Sequence, residues 1–98
     1  MAYERLGGRT LDYFPCRYGG SRLIFRGPER RLAENYMAIV GGTEVFGKFM
    51  EEPFPETMEL LTGRQVINLG CVNAGLEAFE TDRDVFEICS NACSTVIQ

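Results

Sequence analysis

The sequence predicts an α/β fold, in which a three-layer βαβαβ unit with a parallel sheet follows an irregular N-terminal arm. Three apolar runs predict the strands: YMAIV, QVINLG and STVIQ begin 29 residues apart, at Tyr36, Gln65 and Ser94. A strand, a crossover helix and two short loops together need about 30 residues. The first two runs are continuously apolar, as expected where helices cover both faces of a parallel sheet. We therefore expect residues 36–98 to form the βαβαβ unit and residues 1–35 to form the arm.

The first crossover contains a helix with recognisable ends, in the segment EEPFPETMELLTG. Pro55 suits the first helical position, and Gly63 is suited to close the C-terminus. Phe54, Met58 and Leu61 recur at helical spacing, so they are predicted to form the apolar stripe that faces the sheet.

The second crossover predicts a helix in the segment TDRDVFEICSNACS. Thr81 is the expected N-cap, since its hydroxyl can accept a backbone N–H of the first turn. Val85, Cys89 and Ala92 recur at i, i+4 and i+7, so Cys89 is expected to face the sheet.

The first 35 residues have a different pattern. Glycines and a proline surround the short apolar run of residues 23–25, which predicts an irregular arm with room for one short strand or hairpin. The arm has too many aromatic residues for a solvated tail, so it is predicted to pack on the α/β unit. These aromatic residues are Tyr3, Tyr13, Phe14, Tyr18 and Phe25.

Charge divides the chain at the same place. Residues 1–35 hold seven arginines against four carboxylates, and the remainder holds three cations against ten carboxylates. A basic segment beside an acidic one predicts that the two pack together, and we expect no nucleic-acid partner.

Composition and motifs exclude several classes of protein. No apolar run approaches the roughly 18 residues of a membrane span, and the opening MAYERLGGRT lacks the apolar stretch of a secretory signal, so we expect a cytoplasmic protein. The sequence contains no histidine and no Cys-x-x-Cys pair, which predicts free thiols and no metal site. Dinucleotide and P-loop fingerprints are missing, so no cofactor is expected. The four cysteines are Cys16, Cys71, Cys89 and Cys93.

The candidate site lies where the first two strands end, in the turns VGGTE and NLGCVNAG. Ligands of open parallel sheets bind outside the carboxyl ends of the strands, and adjacent strands would bring these two turns side by side. The candidate ligand-binding residues are Gly41, Gly42, Gly70, Asn73 and Gly75.

Thr43 is the candidate reactive group, and two interpretations of it are open. A hydroxyl beside backbone N–H groups at a helix start is one arrangement for acyl transfer, with Thr43 as the nucleophile. The same residue at the same place also serves as a simple N-cap, and the sequence offers no histidine as a base. The carboxylates Glu51, Glu52 and Glu56 are interpreted as a solvated cluster near a helix start.

Four segments carry a resemblance to a known family: LDYFPCRYGGSRLIFRGPERRL, GGTEVFGKF, PFP and NLGCVNAG. They resemble the N-terminal part of an uncharacterised bacterial family, over nearly the whole chain. The fold of that family is in turn similar to the SGNH (GDSL-type) hydrolases, whose first block is a strand followed by Gly-Asp-Ser. The resemblance implies half of an SGNH- or flavodoxin-like sheet and an esterase or acyl-transfer type of activity. It matches Thr43 to the nucleophilic serine, Gly42 to the aspartate, and Gly75 or Asn73 to the glycine of the oxyanion hole.

The chain departs from the hydrolase pattern at several positions. Threonine replaces serine, glycine replaces aspartate, and the blocks that carry Gly-x-Asn and the base would have to follow the third strand, in which Gln98 is the last residue. We therefore expect an N-terminal fragment that is inactive alone, whereas a complete chain would exclude this type of hydrolase. The alternatives are a noncatalytic module that self-associates and an anion-binding module that uses the turn after Gly41. STVIQ carries no charge to discourage edge pairing, so a homodimer through residues 95–98 or the preceding helix is predicted.

Overall fold

The computed structural model describes residues 3–6 and 9–98, which form two sheets and four helices. In chain order the strands and helices are β1 (Tyr3–Leu6), β2 (Arg9–Asp12), β3 (Met37–Gly41), α1 (Thr43–Phe46), α2 (Phe54–Thr62), β4 (Val66–Gly70), α3 (Leu76–Glu80), α4 (Arg83–Asn91) and β5 (Ser94–Ile97).

The predicted parallel sheet is present. Its strand order is β4–β3–β5, with β3 parallel to both neighbours and Met37 paired with Val66 on one side and Ser94 on the other. Counted within this sheet the order is second, first, third, which is how a flavodoxin-like doubly wound sheet begins. The prediction of an α/β fold is confirmed, and each strand lies within one or two residues of its apolar run.

Helices cover both faces of the sheet, which gives the three predicted layers. Side chains alternate between the faces, since successive residues of a strand point in opposite directions. The cluster on the α3 and α4 side includes Ala38, Val40, Ile67, Leu69, Phe79, Val85 and Ile88. The cluster on the α1 and α2 side includes Met37, Ile39, Val45, Val66, Phe54 and Met58.

The apolar stripe of α2 is shorter than predicted. Phe54 and Met58 pack into the second cluster, but Leu61 is 81% exposed, so its assignment to the stripe is wrong. α2 packs against β4, and among its predicted stripe residues only those of the first two turns, Phe54 and Met58, pack into the cluster on this face of the sheet. Gly63 closes the helix as predicted, in the left-handed conformation with φ 72.

The second crossover contains two helices where the sequence predicted one. Thr81 is not the cap of α4, because it ends α3 and Asp82 takes the capping position. The Asp82 carboxylate accepts the backbone N–H of Val85 at 3.0 Å and the hydroxyl of Ser21 at 2.6 Å, so it also anchors the arm. Cys89 is half-buried against the core cluster, as predicted.

The arm packs on the α/β unit. It contains the antiparallel hairpin β1–β2 and one further bridge between Cys16 and Phe25. Of its aromatic residues, Tyr13, Tyr18 and Phe25 are buried, whereas Phe14 is 56% exposed. Four residues of the predicted arm, and the side chain of Tyr3, lie outside the described part of the chain; the four are Met1, Ala2, Gly7 and Gly8.

A bidentate ion pair joins the basic arm to the acidic unit, as the charge division predicted. Arg30 donates from Nη1 to Glu59 Oε1 at 2.9 Å and from Nη2 to Oε2 at 3.1 Å. Within residues 3–6 and 9–98, no helix is long and apolar enough to cross a membrane.

Candidate functional site

The two predicted turns are neighbours at the carboxyl end of the parallel sheet. Gly41 at the end of β3 is in register with Gly70 at the end of β4. Just beyond, the backbone N–H of Cys71 donates to the carbonyl of Gly41 at 3.0 Å. The parallel pairing therefore brings together two segments about 30 residues apart in the chain, as the strand-end rule predicted.

Thr43 joins the two turns through its side chain. Its Oγ1 accepts the backbone N–H of Asn73 at 2.9 Å. Asn73 has φ 60, a left-handed conformation that asparagine adopts more readily than most residues. The Thr43 hydroxyl thus stands beside a backbone donor, but the donor belongs to the neighbouring turn rather than to its own helix.

The interpretation of Thr43 as an N-cap is wrong. The N-cap of α1 is Gly42, and no side chain caps this helix. Thr43 is already the first helical residue, so its hydroxyl extends sideways to the turn of β4 instead of back over the first N–H groups. Local sequence could not distinguish the two positions, because they differ by one residue and by a contact to a distant segment.

Gly70 allows α1 to pack closely on the end of β4. A Cβ on Gly70 would overlap the backbone nitrogen of Phe46, so only glycine lets α1 lie directly on the end of β4. Gly70 is buried, and the Asn68 side chain on the same strand reinforces the contact by donating to the carbonyl of Val45 at 2.8 Å.

A small cleft opens between the ends of β3 and β5. Its volume is about 20 Å³, which is room for roughly one water molecule. The sheet reverses its winding between these two strands, and such a switch point is where ligands of open α/β sheets bind. The cleft is lined by Val40, Gly41, Gly42, Ala74, Gly75, Phe79, Ile97 and Gln98.

The structure divides the candidate residues into three groups. Gly41, Gly42 and Gly75 line the cleft. Thr43 and Asn73 form the hydrogen-bonded pair beside it, at partly exposed and exposed positions, and Gly70 lies beneath α1.

Gln98 is a cleft residue that the sequence reading missed. Its backbone N–H donates to the carbonyl of Val40 at 3.0 Å, and its side-chain amide donates to Glu44 Oε2 at 3.2 Å. Applying the strand-end rule to the third strand as well as to the first two would have identified it.

The site contains a hydroxyl, that of Thr43, which the backbone N–H of Asn73 holds in place, but it has no evident base. The sequence contains no histidine, and the Glu44 carboxylate beside Thr43 accepts from Gln98. In the described part of the chain, no group of three or more histidine, cysteine, aspartate or glutamate side chains could hold a metal ion. The arrangement can orient the Thr43 oxygen through the backbone N–H of Asn73.

An arginine of the arm holds the loop that follows α1. Arg26 is 6% exposed, and burial lowers the pKa of its guanidinium, partly offset by Glu56. The guanidinium lies 4.9 Å from the centroid of the Tyr13 ring. Its Nη1 donates to the carbonyls of Phe46 and Gly47 at 3.0 and 2.9 Å, and its Nη2 to those of Met50 and Glu51 at 2.7 and 3.1 Å. No feature of the sequence distinguishes Arg26 from the other arginines of the arm.

Residues 1–98 match a protein-family model that is described as a domain of unknown function, DUF6473. Neither the curated proteins nor the solved structures contain a match to this chain.

Proposed function

The chain belongs to the DUF6473 family, and we propose that it is an SGNH-hydrolase-like module of the esterase or acyl-transfer type, in which Thr43 stands in place of the nucleophilic serine. The observation that supports this most directly is the 2.9 Å contact between Thr43 Oγ1 and the backbone nitrogen of Asn73. It holds a hydroxyl at the carboxyl end of the central strand, beside the turn whose N–H groups would stabilise an oxyanion. The strand order β4–β3–β5 is that of the first half of a flavodoxin-like sheet.

The reaction would form a bond between Thr43 Oγ1 and the acyl carbon of an ester and break the bond from that carbon to the alcohol oxygen. A base would take the proton of the Thr43 hydroxyl and deliver it to the departing oxygen, which leaves as the alcohol. No histidine is present to serve as that base. We therefore expect no ester turnover from these 98 residues by themselves, and we assign them the nucleophile and the oxyanion turn rather than the complete catalytic set.

The test compares the protein produced by its natural host with Thr43→Ser and Thr43→Ala variants, which are made by editing the gene in that host. A serine-directed fluorophosphonate should label the natural protein and the Thr43→Ser variant, and it should fail to label Thr43→Ala. The recombinant 98-residue chain should not hydrolyse p-nitrophenyl acetate above the buffer rate. Labelling that persists in Thr43→Ala, or a natural protein that is never labelled, would remove the proposal.

A second function, self-association, is favoured by a different observation. All four residues of β5 are exposed, with Val96 at 42% and Ile97 at 64%, and none of the described residues pairs with its outer edge. An uncharged, β-branched edge of this kind is prone to pair with another strand. As the alternative to a sheet that continues beyond β5, we propose that β5 pairs with β5 of a second copy, which would make a homodimer with one continuous sheet.

Sedimentation velocity at micromolar concentration tests the dimer. The expected species has about twice the 11.0 kDa mass of the chain. Val96→Lys should return it to the monomer, because a charge on an edge strand discourages pairing. Leu60→Lys is the matched control, since Leu60 is 73% exposed on α2 and lies outside β5, and it should leave the mass unchanged. A wild-type chain that sediments as a monomer would contradict the dimer.

The cytoplasmic location and the lack of a nucleic-acid partner stay predictions, as does the anion-binding alternative at the turn after Gly41. Fractionation of the host cell and titration with a mixed-sequence DNA would test the first two.

A further inference from the structure

The helix that carries Thr43 cannot hold its own shape. It has four residues, from Thr43 to Phe46, and a single helical turn is unstable in water because nucleation costs more than one turn regains. The turn closes through the backbone N–H of Gly47, which donates to the carbonyl of Thr43 at 2.9 Å. Contacts outside the helix must therefore fix where Thr43 lies.

Burial of Val45 and Phe46 and the bond from the Asn68 side chain to the carbonyl of Val45 supply part of that support, and the arm supplies more. The carbonyls of Phe46 and Gly47 lie at the C-terminal end of α1, and both accept a hydrogen bond from Nη1 of Arg26. A cation at this end also complements the negative end of the helix dipole. Nη2 holds the carbonyls of Met50 and Glu51, so one guanidinium ties the end of the helix to the loop after it.

We infer that Arg26 is a positioning residue for the Thr43 hydroxyl. It fixes the carbonyl of Gly47, the N–H of Gly47 fixes the carbonyl of Thr43, and the hydroxyl of Thr43 meets the N–H of Asn73. The arm therefore belongs to the site as well as to the packing of the domain, although the consequence for catalysis rests on the proposed function. Arg30, on the same arm, pairs with Glu59 of α2 and has no part in this chain of contacts.

Amide hydrogen exchange followed by NMR tests the inference without any need for activity. Arg26→Lys keeps the positive charge but replaces the planar fork by a single ammonium, which cannot reproduce four separated bonds. We expect exchange of the Gly47, Met50 and Asn73 amides to accelerate by about tenfold or more, while the amide of Ile39 in the central strand changes by less than about threefold. Arg30→Lys is the matched control and should leave the Asn73 amide within about threefold of wild type.

Two outcomes of the Arg26→Lys experiment would overturn the role. One is an Asn73 amide that exchanges at the wild-type rate. The other is equal acceleration at Asn73 and Ile39, which would make Arg26 a general stabiliser of the fold.

Exchange in the unaltered chain covers the case in which Arg26→Lys does not fold. With rising urea below the unfolding transition, the amides of Gly47, Met50 and Asn73 should open together, before that of Ile39. If Asn73 opens separately from Gly47 and Met50, the positioning role is excluded. The amides of Gly47, Met50 and Asn73 could open together in a protein that fluorophosphonate does not label. That result would support the positioning role of Arg26 and contradict only the hydrolase proposal.

Discussion

Glu59 joins the arm, α2 and β4, so the change Glu59→Gln tests directly what holds the arm in place. Both carboxylate oxygens accept from Arg30, at 2.9 and 3.1 Å, and Oε1 also accepts the backbone N–H of Val66 at 2.8 Å. Glutamine keeps the shape of the side chain and an oxygen for Val66. The substitution therefore removes the charge and the fork-to-fork geometry with Arg30, and little else.

The exposure of the pair sets the expected magnitude. The side chains of Arg30 and Glu59 are 38% and 29% exposed, which lies between a solvated and a buried ion pair. Exposed pairs contribute about 0.2–1 kcal/mol, whereas hydrogen bonds to charged groups contribute about 1.5–3 kcal/mol. Since solvent screens part of this pair, we expect a coupling energy of about 1 kcal/mol between Arg30 and Glu59, and a similar loss of stability in Glu59→Gln.

The same contacts predict how the contribution depends on pH. The hydrogen bond from Arg30 lowers the pKa of Glu59 below its ordinary value of 4.5, against a smaller opposing effect of burial. A carboxylate with a lowered folded-state pKa stabilises the fold above the unfolded pKa, and this contribution disappears as pH falls through the folded pKa. The stability difference between wild type and Glu59→Gln should therefore be constant near neutral pH and shrink below pH 4.5.

Urea unfolding of a double-mutant cycle measures the coupling energy between Arg30 and Glu59 and its dependence on pH. The cycle combines Glu59→Gln with Arg30→Met and is run in steps from neutral to acidic pH. Glu80→Gln, which removes an exposed carboxylate on α3, is the control and should cost less than about 0.5 kcal/mol. A coupling energy below about 0.3 kcal/mol near pH 7 would show that the ion pair does not hold the arm, and one that persists unchanged into acid would refute its electrostatic origin.

Three further tests of the local geometry use substitutions at Gly70, Thr43 and Asp82, the first two with a control variant. Gly70→Ala should lower the free energy of unfolding in urea by about 2–3 kcal/mol, because its Cβ overlaps the backbone of α1. Gly63→Ala is the control: Gly63 has φ 72 but lies in open space, so the loss should be only about 1 kcal/mol. Equal losses would argue against the close approach of α1 to Gly70. Thr43→Val should lower the free energy of unfolding by about 1 kcal/mol and shift the NMR resonance of the Asn73 amide, because it removes the acceptor of that amide. Thr43→Ser keeps the hydroxyl and should change neither quantity. An unchanged Asn73 resonance in Thr43→Val would contradict the hydrogen bond between the two turns. Asp82→Ala should lower the free energy of unfolding by about 1 kcal/mol or more in thermal unfolding. It removes the N-cap of α4 and leaves the buried hydroxyl of Ser21 without its acceptor. An unchanged melting temperature would count against the capping role.

The fold could be predicted where the signals were local and repeated. Equal spacing located three strands to within one or two residues, and the proline and glycine at the ends of α2 located that helix. The two short helices gave no such signal: α3 was missed, and α1 is a single turn that tertiary contacts stabilise. Leu61 shows the same limit, because a residue at helical spacing is buried only if the sheet extends beneath it.

The candidate site was predictable in its position and not in its bonding. The rule about strand ends brought Gly41 and Gly70 together correctly, since it depends only on parallel topology. The partner of Thr43 could not be predicted, because a threonine after two glycines looks the same whether it caps its own helix or accepts from a turn 30 residues away. Arg26 was also beyond prediction, since its four acceptors are backbone carbonyls and leave no complementary side chain in the sequence.

The size of the cleft constrains how the proposed function could operate. A volume of about 20 Å³ admits a water molecule but no acyl group, so a substrate must approach Thr43 from the exposed side of Asn73 rather than through the switch point. On that side the N–H of Asn73 already donates to Oγ1, where it would steady the attacking oxygen before the reaction. The oxyanion on the substrate would then need other donors, and the neighbouring backbone N–H groups of the same turn are the closest in sequence, including that of Gly75 at the start of α3. In the proposed chemistry, Asn73 would orient the nucleophile and Gly75 would contribute to the oxyanion hole. The resemblance to the hydrolases had matched either residue to the same position.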